Sequence, residues 1–373
     1  EDMAGSIFGT IFRVSTWGES HGAGLGGVID GCPAGLPLDR EDIQSWLDRR
    51  KPGQSKFTTA RQEGDEVEIL SGVFEGKTTG TPIALEVRNK DQRSKDYSAI
   101  MDLYRPGHAD YTFDQKYGFR DYRGGGRSSG RETVGRVAAG AVAARILKEL
   151  GVEVRAFTRS IGPVEISLEN FSWDEMANNK LYMPDARAAK EAQAYLEKLM
   201  GECNSAGGVI ECRIEGLPAG IGEPVFDKLD ANLAKAILSI GAVKGFEIGE
   251  GFEAARLTGS EDNDEFASET DGNGERRIYK KTNHAGGVLG GISDGSPVVF
   301  RAAFKPTASI ARQQHTVTRE GEETPIVIKG RHDPVIVPRA VVVVEAMAAL
   351  TVCDLLLGSM TSRMDRIREF FCR

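Results

Sequence analysis

Cysteine is scarce in this 373-residue chain. Five residues (Cys32, Cys203, Cys212, Cys353, Cys372) are an odd number with no CxxC pair, which argues against a disulfide framework or thiolate zinc site and for reduced thiols in a cytoplasmic compartment. Histidine is equally sparse, with five copies and no HExxH spacing. No nucleophile elbow is recognised and a Walker loop is missing too, so no metal site and no acyl-transfer chemistry is expected. Positive charge is in deficit: a net charge of −8 argues against a general nucleic-acid binder, which needs a positive field over its footprint. Long apolar runs are also missing. The most apolar stretch, "VIVPRAVVVVEAMAALTVCDLLLG" (335–358), is broken by Pro338, Arg339, Glu345 and Asp354 and reads as a buried helix, not a membrane span. No signal-peptide pattern opens the sequence.

Glycine, by contrast, is abundant. Its 45 copies cluster in "GAGLGG" (22–27), "RGGGR" (123–127) and "HAGGVLGG" (284–291), where a backbone must approach something closely. Hydrophobic content of 40% with 27% charged residues is that of a globular protein. Strand-like segments fit 9–17, 67–76 and 81–89, each β-branched or aromatic-rich and bounded by Gly or Pro. Residues 284–304 read as glycine-punctuated strands. Helical patterns cover 39–50, 129–150, 184–200, 226–240 and 339–357. The segment "SEDNDEFASETDGNGE" (260–275) holds seven acidic residues and no basic one and reads as a mobile surface loop. No linker divides the chain, so one domain over 9–358 is expected. "GGVIDGCPAGLP" (26–37) and "GGVIECRIEGLPAG" (207–220) share a pattern that hints at an internal duplication, with halves near 9–150 and 200–358.

"GAGLGG" formally satisfies GxGxxG, but Pro33 and Pro37 follow and no helix can open there, which excludes a dinucleotide fingerprint. In "GRSSGRET" (126–133), Ser129 and Glu132 have capping-box spacing, flanked by Arg127 and Arg131. Two readings stay open: an ordinary capped helix, or a helix N-terminus that receives phosphate. Four basic runs stand against the overall charge: 48–61, 104–131, 301–319 and 329–339. A single run is usually a solvated face; four, each with Gly, Ser, Thr or Pro, suggest convergence on one pocket for a polyanionic ligand. His21, His108, His284 and His332 sit beside glycine or a Gly-Arg pair, where an imidazole has access to a ligand and suits proton transfer.

Taken together, "GESHG", "DRRKPGQS", "DQRSKDY", "RPGHADYTFDQKYGFRDYRGGGRSSGRET", "AVKGFEIGEGF", "NHAGGVLGGISDG", "KPTAS" and "GRHDP" with "PRAVVVVEAMA" closely resemble the chorismate synthase family. The resemblance implies an α+β fold, with helices sandwiched between two antiparallel sheets. It also implies a phosphate lyase that converts 5-enolpyruvylshikimate 3-phosphate to chorismate in the shikimate pathway. Reduced FMN is required there without net redox change, and NADPH enters only indirectly, as a source of flavin reduction. Carried over by motif, His108 would protonate the departing phosphate, His21 would protonate or polarise the reduced flavin, and Asp333 would assist proton removal. Ser20 and Ser129 would support the two histidines. FMN would meet Arg127, Ser128, Ser129, Gly241, Ala242, Gly290, Lys305, Pro306, Thr307, Ala308, Ser309 and Arg331. The substrate would meet Arg50, Lys56 and Arg131. The resemblance further implies a cytoplasmic homotetramer, a dimer of dimers, with no nucleic-acid or membrane partner.

Overall fold

The computed structural model describes residues 5–372 apart from 54–56, 58–63, 91–99, 124, 271, 273 and 329–332. The β-branched segments near the N-terminus build an antiparallel sheet from β1 (Ile7–Phe8), β2 (Arg13–Gly18), β3 (Gly24–Asp30), β4 (Val67–Ile69) and β7 (Ile83–Arg88), in the order β1-β2-β3-β7-β4. A small hairpin, β5 (Val73–Phe74) and β6 (Lys77–Thr78), lies between β4 and β7 in sequence. A second antiparallel sheet is built from β8 (Glu153–Ile161), β9 (Val164–Glu165), β10 (Gly208–Glu215), β11 (Val243–Ile248) and β16 (Val298–Phe304), in the order β11-β16-β10-β8-β9. Along β7 the buried residues are Ile83, Leu85 and Val87, and along β16 they are Val298, Phe300, Ala302 and Phe304. That period of two turns one face of each sheet inward.

Between the inward faces lie α1 (Arg40–Arg50), α3 (Thr133–Glu149), α6 (Leu229–Leu238) and α8 (Val337–Gly358). The last is long and apolar enough to cross a membrane, yet it is buried in the core along most of its length, and even its Glu345 and Thr351 are buried. Close approach of these elements depends on glycine. A Cβ on Gly26 of β3 would lie 1.9 Å from the Leu85 carbonyl oxygen, and one on Gly140 of α3 would lie 2.4 Å from the Ala346 Cβ of α8. The remaining elements sit around this sandwich: α2 (Asp110–Tyr117), α4 (Trp173–Asn178), α5 (Ala186–Gly201), α7 (Gly259–Asp262), α9 (Met364–Phe371), and the hairpins β12 (Phe266–Thr270) with β13 (Arg276–Lys280), β14 (Val288–Leu289) with β15 (Ile292–Ser293), and β17 (Gln313–Val317) with β18 (Glu323–Val327).

The two sheets repeat one topology. In chain order β2-β3-α1-β4-β7-α3 corresponds to β8-β10-α6-β11-β16-α8, and the lateral order β2-β3-β7-β4 matches β8-β10-β16-β11. Both GGVI segments fall at the equivalent central strand, β3 and β10.

Several expectations need correction. The 67–76 segment splits into β4 and β5. The acidic 260–275 stretch is not a plain loop: it carries the end of α7 and all of β12. Asp264, within it, is buried against Lys280 at 3.0 Å, and Lys280 in turn meets Asp294 at 2.7 Å, which ties the base of the hairpin to β14–β15 and its flanks. The capping box at Ser129 and Glu132 does not form. Two 3-10 turns, 126–128 and 130–132, precede α3, and Glu132 reaches forward one helical turn to Arg136 at 2.9 Å, the favoured i,i+4 pairing of opposite charges.

Candidate active site

One cavity of about 880 Å³ opens between the two halves. It is lined by the β2–β3 turn, the end of α1, the segment before α2, the turns that open α3, the α6–β11 loop, the chain after β16 and the first turns of α8. The basic runs converge as their sequence suggested. Among the described residues, Arg50, Arg105, Arg127, Arg131, Arg136, Lys244, Lys305 and Arg339 line the wall, against only Glu132 and Asp333 of opposite sign.

His21 stands on the β2–β3 turn, with its Nδ1 3.0 Å from the buried Ser20 hydroxyl. The turn is clamped by Asn89, whose side-chain amide donates to the Glu19 and Gly22 carbonyls at 3.0 and 2.8 Å. The Asn89 Oδ1 accepts from Arg131 Nε at 2.5 Å, so one residue fixes both the histidine turn and a cation of the wall. His108 is held from the other side. Its Nδ1 lies 3.0 Å from Asp110 Oδ1 and 3.0 Å from Arg105 Nη2. Arg105 donates to Asp110 through Nε at 2.8 Å and Nη2 at 2.6 Å. Burial opposes the charge of Asp110, but the hydrogen bonds from Arg105 and His108 overcome it and hold the carboxyl well below the usual carboxylate range. The Nε2 edge of His108 lies beside Gly125, where a Cβ would be 3.4 Å from Nε2.

The floor is a buried charge network. Asp65 accepts from Arg50 Nη2 at 2.5 Å and from Arg131 Nη1 at 2.6 Å. Burial acts to raise the Asp65 carboxyl, and the two guanidinium groups outweigh it and keep it low. Burial, Arg339 and Arg131 together outweigh Asp65 and pull Arg50 down to about 10, so it still carries charge at neutral pH. Arg339 Nε donates to the Arg50 carbonyl at 3.0 Å, and its Nη1 meets Asp333 at 2.6 Å. The Asp333 carbonyl accepts from Thr307 Oγ1 at 2.7 Å, which joins the 305–309 loop to the start of α8. Ala242 adopts a left-handed φ of +73° on this wall, and its carbonyl accepts from Lys305 N at 2.9 Å. Among the described residues no group of His, Cys, Asp and Glu is arranged to hold a metal ion.

Most of the residues singled out from the sequence therefore meet in one place: His21, His108, Asp333, Ser20, Ser128, Ser129, Gly241, Ala242, the 305–309 loop, Arg50, Arg127 and Arg131 all line the cavity. Three details differ. Gly290 lies outside it, in the turn between β14 and β15. Arg127 faces its guanidinium onto β2, donating to the Thr16 hydroxyl at 2.7 Å, so it braces the loop. Ser129 accepts from Arg131 N at 3.2 Å, and the groups that hold His108 are Asp110 and Arg105. Lys56 and Arg331 lie outside the described residues. Sequence reading missed Asp65, Asn89, Asp110, Arg136 and Lys244. Only Asp110 had a usable signal, two positions after His108 in "RPGHADY".

A family model described as chorismate synthase matches residues 12–357. Chorismate synthase of Lachnospira eligens is 66% identical over 369 residues, which cover 99% of this chain and 100% of that protein. The enzyme of Agathobacter rectalis is 65% identical over 369 residues, 99% of each. A crystal structure of chorismate synthase superposes with a TM-score of 0.75 at 34% identity, covering 98% of this chain and 97% of that one. With its fold, its cavity and its sequence in agreement over nearly the whole length, the chain belongs to the chorismate synthase family of phosphate-eliminating lyases.

Proposed function

We infer that this chain converts 5-enolpyruvylshikimate 3-phosphate to chorismate by 1,4-anti elimination of phosphate and a ring hydrogen, with bound reduced FMN and no net redox change. The observation that carries this reading is the meeting of His21, His108 and Asp333 in one cavity with eight cationic side chains. A substrate with one phosphate and two carboxylates needs such a wall, and arginine suits both groups because it binds them at two points.

The residues present fit a flavin mononucleotide. The cavity volume of about 880 Å³ is at the upper end of the roughly 300–1,000 Å³ usual for small-molecule sites. Gly241 leaves open space where a Cβ would stand, and the neighbouring wall offers serine hydroxyls, backbone and Lys305. Ser128, Ser129, Gly241, Ala242 and the 305–309 loop would hold the cofactor, and Arg50 and Arg131 would face the substrate. Reduced FMN, when bound, supplies transient electron density that no side chain offers. The remaining work falls to the chain. His108 gives a proton from Nε2 to the leaving phosphate, His21 holds a proton at the opposite wall, and Asp333, oriented by Arg339, is the carboxylate available to accept one. The cations stabilise negative charge on the departing group. The free cysteines accord with a cytoplasmic enzyme, and large exposed side chains such as Phe226, Phe252 and Phe371 accord with burial in a homotetramer.

The test is anaerobic: protein, chemically reduced FMN and 5-enolpyruvylshikimate 3-phosphate are mixed, and chorismate absorbance is followed together with phosphate release. Equal yields without consumption of reductant are expected; phosphate without chorismate, or stoichiometric oxidation of the reduced FMN, would overturn the reading.

A further inference from the structure

His108 Nδ1 faces two groups of opposite chemistry. Asp110 Oδ1, at 3.0 Å, only accepts a hydrogen bond, and Arg105 Nη2, also at 3.0 Å, only donates one. Their demands exclude each other. If Nδ1 carries hydrogen for Asp110, a ring that has released one proton is bare at Nε2. If Nδ1 accepts from Arg105, the single proton of the neutral ring stays on Nε2, and losing it would leave an imidazolate.

The geometry favours the first arrangement. Arg105 Nη2 is closer to Asp110 at 2.6 Å than to His108, and Arg105 also gives its Nε and its backbone N–H to the other carboxylate oxygen at 2.8 and 3.0 Å. The other charged groups nearby are mostly cations. Arg120 Nε lies 3.9 Å from Asp110 Oδ1 and also pairs with Asp114, Arg319 from the β17–β18 turn reaches Asp114 at 3.5 Å, and Lys305 donates to the Gly107 carbonyl. Asp110 is the carboxylate that meets the ring. A serine hydroxyl, such as that of Ser20 at His21, either donates or accepts and imposes no such choice.

We propose that Asp110 is a positioning residue for His108: it accepts the Nδ1 proton, fixes the ring, and makes the Nε2 proton the one transferred. The inference rests on the chorismate-forming reading above. In the step, the Nε2–H bond breaks, its electron pair stays on the ring, the proton goes to an oxygen of the departing phosphate, and the Nδ1–H bond stays intact, donating to Asp110.

The test uses Asp110→Asn. The amide oxygen keeps the two Arg105 bonds made by Oδ2, which leaves the amide NH2 facing His108 Nδ1 and inverts the tautomer. Nitrogen-15 NMR of the histidine-labelled, substrate-free protein reads this directly. With five histidines, the His108 signals are those lost in His108→Gln. The neutral ring is expected to carry hydrogen on Nδ1 in the unaltered protein and on Nε2 in Asp110→Asn. In the anaerobic assay kcat should fall by about 10²-fold or more, toward the roughly 10⁴-fold of the same change in a catalytic triad, with KM changed only a few-fold. Asp114→Asn removes an equally buried carboxylate that does not touch His108, and should leave the tautomer unchanged and kcat within a few-fold. Hydrogen on Nε2 in the unaltered protein would overturn the proposal, even if Asp110→Asn failed to fold. So would one tautomer shared by both proteins, or equal losses in the two aspartate variants. An unaltered protein with the expected tautomer but no chorismate would uphold the proton placement and overturn the reaction alone.

Discussion

His108 depends on what is missing beside it. Gly125 has φ of −143°, outside the left-handed region, so Gly125→Ala adds little backbone strain and sets a methyl 3.3 Å from Ser129 N and 3.4 Å from His108 Nε2. It should lower kcat/KM by about 10-fold or more, since small displacements at a reacting group are costly, while thermal unfolding stays within a few degrees. Removing the ring is harsher: His108→Ala should lose about 10²–10⁴-fold in kcat, the usual range for a general acid, measured as initial chorismate release. Ala242 presents the opposite case, a side chain kept at a left-handed φ of +73°. Glycine there should be tolerated, and Ala242→Val should destabilise by more than about 1 kcal/mol in urea titration, because a β-branched residue resists that conformation. His21, His108 and Asp333, which line the cavity, were legible because their motifs are local. Asn89 and Asp65 were not, because each matters through partners distant in sequence, and a lone polar residue carries no sign of them.

At the scale of elements, the four helices of the sandwich were readable from their apolar spacing, and α3 and α8 were placed within a few residues. Their packing was not readable. A glycine inside a helix ordinarily costs about 1 kcal/mol relative to alanine, so Gly140→Ala viewed in isolation should stabilise α3. At the crossing the added carbon would lie 2.4 Å from Ala346 Cβ and 2.5 Å from its Cα, and the sign reverses. A loss of about 1–3 kcal/mol is expected, as for overpacked cores, measured by the denaturation midpoint. The opening of α3 misled for a related reason: Glu132 has capping-box spacing, but Arg136 one turn ahead offers a full charge. Nor does the acidic composition of 260–275 reveal that Asp264 faces inward to Lys280, since composition reports charge and not direction.

For the whole molecule, the buried acids set the pH limits. Asp65, Asp110 and Asp264 are each penalised by burial yet held below their ordinary range by their partners. A carboxylate whose folded pKa lies below its unfolded value stabilises the fold fully above the unfolded value, about 3.9, and loses that contribution as pH falls toward the folded one. The urea midpoint should therefore hold steady from about pH 7 to pH 5 and drop steeply below about pH 4, with Asp110→Asn flattening part of the drop.

The two sheets share one strand order, yet the two halves of the chain do not share their duties. His21 and His108 come from the first, while Lys305 and Asp333 come from the second, and α3 of one finds its apolar partner in α8 of the other. A cut after Gly201 would leave each fragment with a bare helix face and half a reaction centre. Neither piece alone should release phosphate, and co-expression of the two should restore it by complementation, turning one chain into an obligate heterodimer.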